Sequence, residues 1–292
     1  MMLPHFQVLQ DIWNAPGNRQ NRLASVLRAA RWFWRCHRQP QSGPVLLPVF
    51  ESRVYPCHVD SLIAKHVMYR SAWYDWDLLN FMKAVLRPGD HYLDVGANTG
   101  LHTLLASTVT DRLTCVEPEP HNLERLRRTL ALNGLESAVV LAVAADEREG
   151  SVALEGDDVF TRLRDGGSAA AVPAVRLDEA LGAGARVDFA KIDVEGAEGR
   201  VLRGLTGLME RAALPLIAFE CFGHLRAFGE EPADLLDWLR ARGYTVAVYD
   251  HEDRTLDTRD PLAAGATDLI AFDREGRRRI RERLSQVVVL ES

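Results

Sequence analysis

Cysteine is scarce in this chain and never stands at metal-binding spacing: Cys36, Cys57, Cys115 and Cys221 are isolated, with no CxxC pair. That argues against a zinc site or a disulfide framework and suits a reducing cytoplasm. Cys115 and Cys221 fall in apolar runs, where a small buried thiol is the default. No run approaches the roughly 20 apolar residues a membrane span requires. The amino-terminal stretch carries no cleavable signal pattern, so a cytoplasmic chain without stable membrane insertion is expected. Positive charge is short as well. A net charge of −6 over 292 residues gives no general attraction for nucleic acid. There is no internal repeat, no GxGxxG, and no Tyr-x-x-x-Lys pair.

The rest of the composition is that of an ordinary globular protein, 47% hydrophobic and 26% charged. The length suits one large α/β domain with an appendage. Charge is distributed unevenly: residues 1–40 hold six arginines (19, 22, 28, 31, 35 and 38) against one acid, Asp11. The segment 21–38 spaces Leu23, Val26, Leu27, Ala30 and Trp34 as the apolar face of a basic amphipathic helix. That face either lies on a membrane surface or, by the more ordinary reading, packs on its own domain or a partner subunit. After the break QPQSGPV at 39–45 come short strands over 46–59 and a helix over 72–86. Residues 1–69 are accordingly read as an extension, a lid or homodimer contact, and 70–292 as the main domain.

From residue 91 strands and helices alternate. Strands are expected at 91–95, 113–117, 139–145, 187–194, 214–221, 244–250 and 267–272, with helices at 99–109, 121–134, 197–210 and 232–242. The apolar runs are continuous, as in strands covered on both faces. This predicts a doubly wound, Rossmann-like seven-stranded α/β sheet with helices on both faces. Within 147–181 the pieces SVAL and VPAVRL read as edge strands, and the Gly/Asp/Ser-rich middle, 155–170, reads as mobile.

The strand-end residues carry the chemistry, because open parallel sheets bind ligands beyond the carboxyl ends of their strands. LDVGANTG at 93–100 is a strand running through a glycine turn into a helix. Gly96 and Gly100 permit the tight turn, whose backbone N–H groups, around Ala97, face a ligand, and Asn98 and Thr99 offer amide and hydroxyl contacts to its amino-acid end. Glu117 follows Gly96 by 21 residues, the spacing at which an acid ending the second strand takes two ribose hydroxyls, and Pro118 and Pro120 stop that strand. Glycines standing as GxxxG favour a nucleoside without a diphosphate, namely S-adenosylmethionine. Asp94 can orient the turn and accept from the ligand's amino group. Asp146, ending the third strand, can take the adenine amine. Thr99 either contacts the cofactor's amino-acid end or caps the following helix.

Asp193 and Glu220 end adjacent strands, so their carboxylates can converge beside a methyl donor. They would act as general base or hold Mg²⁺ or another divalent cation that acidifies the acceptor. His224, four residues past Glu220, is a candidate base or ligand. Glu195 shares the Asp193 loop, where negative charge also suits the helix that follows.

PGDHYLDVGANTGLHTLLAS, VEPEPHNLERLRRTLALNGL, VAADEREGSVAL and above all VDFAKIDVEGAEGRVLRGL resemble the FkbM-type family of S-adenosylmethionine-dependent methyltransferases over roughly 70–272. The resemblance implies O-methylation of a hydroxyl on a sugar, glycan or polyketide-like natural product. By position it puts Asp94, Gly96 and Gly100 in the cofactor loop, Glu117 at the ribose, and Asp193, Glu195 and Gly196 at the active-site strand end. N-methylation of an amino sugar or peptide is the second expectation. A nicotinamide-dependent oxidoreductase or a non-catalytic binding module is the third.

Overall fold

The computed structural model describes residues 4–155, 162–164, 171–221, 223–262, 268–284 and 286–291. The chain forms two compact units, Met1–Leu79 and Asn80–Ser292, a division ten residues beyond the expected 69/70 boundary.

The first unit holds helices α1 (Pro4–Asn14) and α2 (Arg22–Arg38), the hairpin β1 (Val45–Val49) and β2 (Arg53–Cys57), α3 (Leu62–Arg70) and the start of α4 (Trp76–Val85). Trp73 packs edge-on against Phe50, which ties the segment after α3 to the hairpin and moves the boundary outward. Of the occupants the sequence allowed for the apolar face of α2, its own domain is not the one. Ser25, Ala29 and Trp32 point inward, while Leu23, Leu27, Ala30 and Trp34 are exposed. The cause is a polar clamp. The buried Asn18 amide donates to the carbonyls of Ile12 at 2.8 Å and Tyr69 at 2.7 Å. Its oxygen accepts from Ser25 Oγ at 2.9 Å and the Arg28 guanidinium at 3.0 Å, and Arg28 donates onward to the Met68 carbonyl at 2.8 Å. Leaving these groups unpaired in the interior would cost more than burying one apolar row would gain. The clamp therefore decides the helix's rotation.

The second unit continues through β3 (His91–Val95), α5 (Leu101–Ala106), β4 (Arg112–Val116), α6 (Pro120–Leu132) and β5 (Val139–Leu141). Next come β6 (Ala144–Ala145), β7 (Gly150–Glu155), β8 (Arg162–Arg164), β9 (Ala171–Val175), α7 (Leu177–Ala180) and β10 (Phe189–Ile192). It closes with α8 (Glu198–Arg203), α9 (Thr206–Glu210), β11 (Leu216–Glu220), α10 (Pro232–Arg240), β12 (Thr245–Asp250), β13 (Thr255–Asp257), β14 (Asp268–Phe272), α11 (Arg274–Arg283) and β15 (Val288–Leu290).

Among the described residues one sheet has the order β15-β13-β12-β14-β11-β10-β3-β4-β5. It contains all seven expected strands, with β13 and β15 added at one edge. From β5 to β11 the strands are parallel, and β14 runs antiparallel between β11 and β12. Every residue of β10 and all but the last of β11 are buried, so helices cover both faces, as the unbroken apolar runs require.

The expected third strand is divided. Val139–Leu141 joins the main sheet, while Ala144–Ala145 pairs with β9 in a separate four-stranded sheet of order β6-β9-β7-β8. SVAL and VPAVRL thus belong to that second sheet and not to an edge of the first. Residues 156–161 and 165–170, most of the segment expected to be mobile, lie outside the described residues. At the amino ends of β3 and β10 the buried Arg279 of α11 reaches Asp90 at 2.7 Å and Asp188 at 3.2 Å. No described helix is long and apolar enough to cross a membrane.

Candidate active site

Strand order reverses between β3 and β10: the chain leaves β3 toward β4 and β5, then returns to lay β10 on the other side. A crevice opens at such a switch point, above the carboxyl ends. Gly96, directly after β3, has φ +74°, and a Cβ there would lie 1.8 Å from the carbonyl oxygen of Asp193. Only glycine allows the turn after β3 and the turn after β10 to touch. The Gly96 and Ala97 N–H groups both donate to the Val116 carbonyl, at 3.0 and 3.1 Å. These two donors therefore anchor the turn to β4. Gly100, at φ +88°, holds the N-cap position of α5, so Thr99, which is buried, is not the cap.

Glu117 is 5% exposed. Its carboxylate accepts the Asn98 N–H at 2.8 Å and the Glu119 N–H at 2.9 Å. Asn98 has φ +47°, so this bond holds it in the left-handed region. Burial pushes the Glu117 carboxyl up to about 7, against the smaller downward pull of those two N–H groups. A carboxylate has about four lone-pair sites, which leaves capacity for two hydroxyl donors. Pro118 adds no donor. Glu119 caps α6, accepting the N–H groups of His121 at 3.0 Å and Asn122 at 2.6 Å.

Asp94 is fully buried. One oxygen accepts from Thr103 Oγ at 2.6 Å, and the other stands 3.6 Å from Lys191 Nζ without a hydrogen bond. The Asp94 carboxylate thus faces α5 and β10. Lys191 also reaches the Gly96 carbonyl at 3.1 Å and Asp193 Oδ2 at 3.2 Å. One buried ammonium thus links both turns. Sequence reasoning passed over Lys191, although a charged residue inside the apolar run FAKI, in a chain with three lysines, was a readable signal. Asp146 is also differently placed. It follows β6, not a main-sheet strand, and its carboxylate pairs with Arg200 at 2.5 Å. Nothing local in the sequence announces a partner 54 residues away.

Asp193, Glu195 and Glu220 do come together. One carboxylate oxygen of each lies within 4.8 Å of the other two. Adjacent parallel strands set this, with Ile192 in register with Phe219 so that the next residues on β10 and β11 reach the same height. Glu195 sits at φ +55° in a turn held by Glu198, whose buried carboxylate accepts the N–H groups of Val194 at 3.0 Å and Gly196 at 3.1 Å. Burial raises the Glu198 carboxyl to about 7. Burial, then the neighbouring Asp193, Glu195, Glu198 and Asp268, push Glu220 up to about 9. A proton therefore stays on Glu220 at neutral pH unless a cation displaces it. Three hard oxygens at this spacing also suit a hard divalent ion. The side chain of His224, in the short 3-10 turn Gly223–Phe228, lies outside the described residues.

The family model of the methyltransferase FkbM domain matches residues 94–246, just over half of the chain. The probable cobalt-precorrin-6B C(15)-methyltransferase (decarboxylating) of Halobacterium salinarum is 36% identical over 78 residues, 27% of this chain and 41% of that protein. Among solved structures, the methyltransferase FkbM of Methylobacillus flagellatus is 19% identical with a TM-score of 0.44, over 72% of this chain and 52% of that one. A putative methyltransferase of Streptococcus mutans, solved in complex with SAH, is 11% identical with a TM-score of 0.41, over 67% and 94%. The chain spans about half the length, or less, of the first two of these.

Proposed function

This chain belongs to the methyltransferase FkbM domain family, and on that premise we propose that it is an S-adenosylmethionine-dependent O-methyltransferase acting on a hydroxyl of a sugar, glycan or polyketide-like natural product. The observation that carries the reading is the convergence of Asp193, Glu195 and Glu220 on a turn that touches the glycine turn at Gly96. A nitrogen acceptor has its own lone pair and needs little activation. A hydroxyl needs its proton removed or weakened, and carboxylates do that.

In this reading the 96–100 turn and Glu117 hold the nucleoside, and Glu117 accepts the two ribose hydroxyls. The Asp94–Lys191–Asp193 chain keeps the two turns in register. Asp193, whose side chain is 40% exposed, accepts the acceptor's hydroxyl proton while the oxygen attacks the methyl carbon. The carbon–sulfur electron pair goes to sulfur, which leaves S-adenosylhomocysteine. The negative cluster favours the sulfonium in the ground state and the transferred proton afterwards. Alternatively, Asp193, Glu195 and Glu220 would hold a divalent cation such as Mg²⁺, which would lower the hydroxyl's pKa in place of a carboxylate base. Four free thiols fit a cytoplasmic enzyme.

The test is incubation with tritiated-methyl S-adenosylmethionine and matched pairs of glycosides and amino sugars, with a parallel NAD(H) binding titration. Methyl-ether product on the hydroxyl members supports the proposal. Label confined to the amino sugars makes the enzyme an N-methyltransferase, and NAD(H) binding without methyl transfer makes it an oxidoreductase.

A further inference from the structure

The face that α2 turns to solvent is apolar at its centre and cationic at its edges. Leu23, Leu27, Ala30 and Trp34 recur at helical spacing along one stripe, and Leu23, Leu27 and Trp34 are 72%, 58% and 56% exposed. At 100° per residue Arg31 and Arg38 flank the stripe on one side and Arg22 on the other. All three are exposed, and none is paired with a carboxylate among the described residues. Arg22 lies over the half-exposed ring of Trp13, 5.4 Å from its centroid. Val8, Leu9 and Trp13 of α1 are exposed too. Beside the stripe runs a groove of about 640 Å³ whose walls include Leu27, Trp34, Val45, Leu47, Arg31 and Arg35.

Single exposed apolar residues are ordinary, but a continuous row is not. The Asn18 clamp shows that the orientation is built in, since the helix had a more apolar face to bury and does not bury it. Three occupants are conceivable, and charge separates them. A second copy would set arginine rows against arginine rows in a segment with a single acid among its first 40 residues, which like-charge repulsion opposes. A nucleic acid would take the arginines and leave the leucines wet. An anionic lipid surface takes both at once: phosphate headgroups meet the guanidinium groups, acyl chains meet the leucines, and tryptophan sits at the boundary.

We propose that the exposed face of α2, with the apolar residues of α1, docks this protein on the surface of an anionic lipid bilayer, lying in the headgroup layer without crossing it. This is independent of the methyl-transfer reading, because it uses none of the residues at the strand ends.

The experiment is co-sedimentation of the full chain with phosphatidylcholine vesicles, with and without phosphatidylglycerol, at low and high salt. Wild type should sediment with the anionic vesicles at low salt and largely stay in the supernatant with neutral ones. The Arg31→Glu/Arg38→Glu variant should lower partitioning at least about fivefold for each arginine, and Leu27→Asp/Trp34→Asp should abolish it. Both pairs are exposed, so the melting temperature should not move, which separates loss of docking from misfolding. Wild type that ignores anionic vesicles overturns the proposal, as does either variant binding as wild type does. A wild-type dimer in sedimentation equilibrium that Leu27→Asp/Trp34→Asp dissociates, without vesicle binding, would give the face to a second copy. Binding to single-stranded RNA without vesicle binding would give it to a nucleic acid.

Discussion

At the amino ends of β3 and β10, Asp90 and Asp188 share one buried guanidinium, that of Arg279. At the carboxyl ends of β10 and β11, Asp193, Glu195 and Glu220 face one another, and Lys191 is the cation that reaches Asp193. Both sets are carboxylates beside a buried cation, on nearly the same strands. Burial pushes the carboxyls of Asp90 and Asp188 up. For Asp188 the His91 N–H and the Arg186 and Arg279 guanidinium groups win and hold it below the usual carboxylate range, while for Asp90 burial outweighs Arg279 and the Arg87 N–H. At the other end burial and like charges act together, and Glu220 rises to about 9. At one edge of the sheet a buried cation is shared between the carboxylates and serves stability. The other is left unsatisfied where a ligand would relieve it, as expected of a site built for binding or chemistry.

The comparison breaks most visibly at Arg279. Arg279→Ala takes the shared cation from the buried Asp90 and leaves Asp188 with Arg186 alone, and should cost about 3–5 kcal/mol in denaturant unfolding. Asp193→Asn should do the reverse. Turnover should fall on the order of 10²–10⁴-fold, while stability should change by less than about 1 kcal/mol, because relief of one like charge offsets loss of the half-exposed pairing with Lys191. If Asp193→Asn destabilises as much as Arg279→Ala does, the two edges are not different in kind.

A smaller effect sharpens the contrast through pH. The Glu220 carboxyl lies above its ordinary value in the folded chain, so the folded state binds more protons than the unfolded between about 4.5 and about 9. Stability is therefore lost as pH rises through that window. Glu220→Gln, measured with chelator present, should melt progressively higher than wild type from pH 6 to pH 9. A constant difference would mean that Glu220 is ionised throughout. The depressed Asp188 has the opposite sign: its contribution is present above the ordinary aspartate range and lost on acidification.

Much of this was legible in the sequence. The seven strands showed as unbroken apolar runs, and the GxxxG turn with Glu117 showed as spacing, because both are local or nearly so. Convergence of Asp193 with Glu220 followed from their positions at the ends of successive strands. What escaped notice was set by distant partners. Asp146 needed Arg200, and the rotation of α2 needed Asn18 to reach Tyr69. Apolar periodicity, which ranks faces by hydrophobicity alone, therefore left open whether Leu23 and Leu27 pack on the chain itself. The division of 139–145 between two sheets depends on pairing with Ala171–Val175, which no local pattern encodes.

The most direct test is calorimetric titration with S-adenosylhomocysteine of the wild type, Glu117→Ala and Asp193→Asn side by side. The account predicts that wild type binds, that Glu117→Ala weakens binding by roughly 10–100-fold through loss of charge-assisted hydrogen bonds, and that Asp193→Asn stays within about threefold of wild type. Failure of the folded wild type to bind, or loss on Asp193→Asn with Glu117→Ala unaffected, would contradict it.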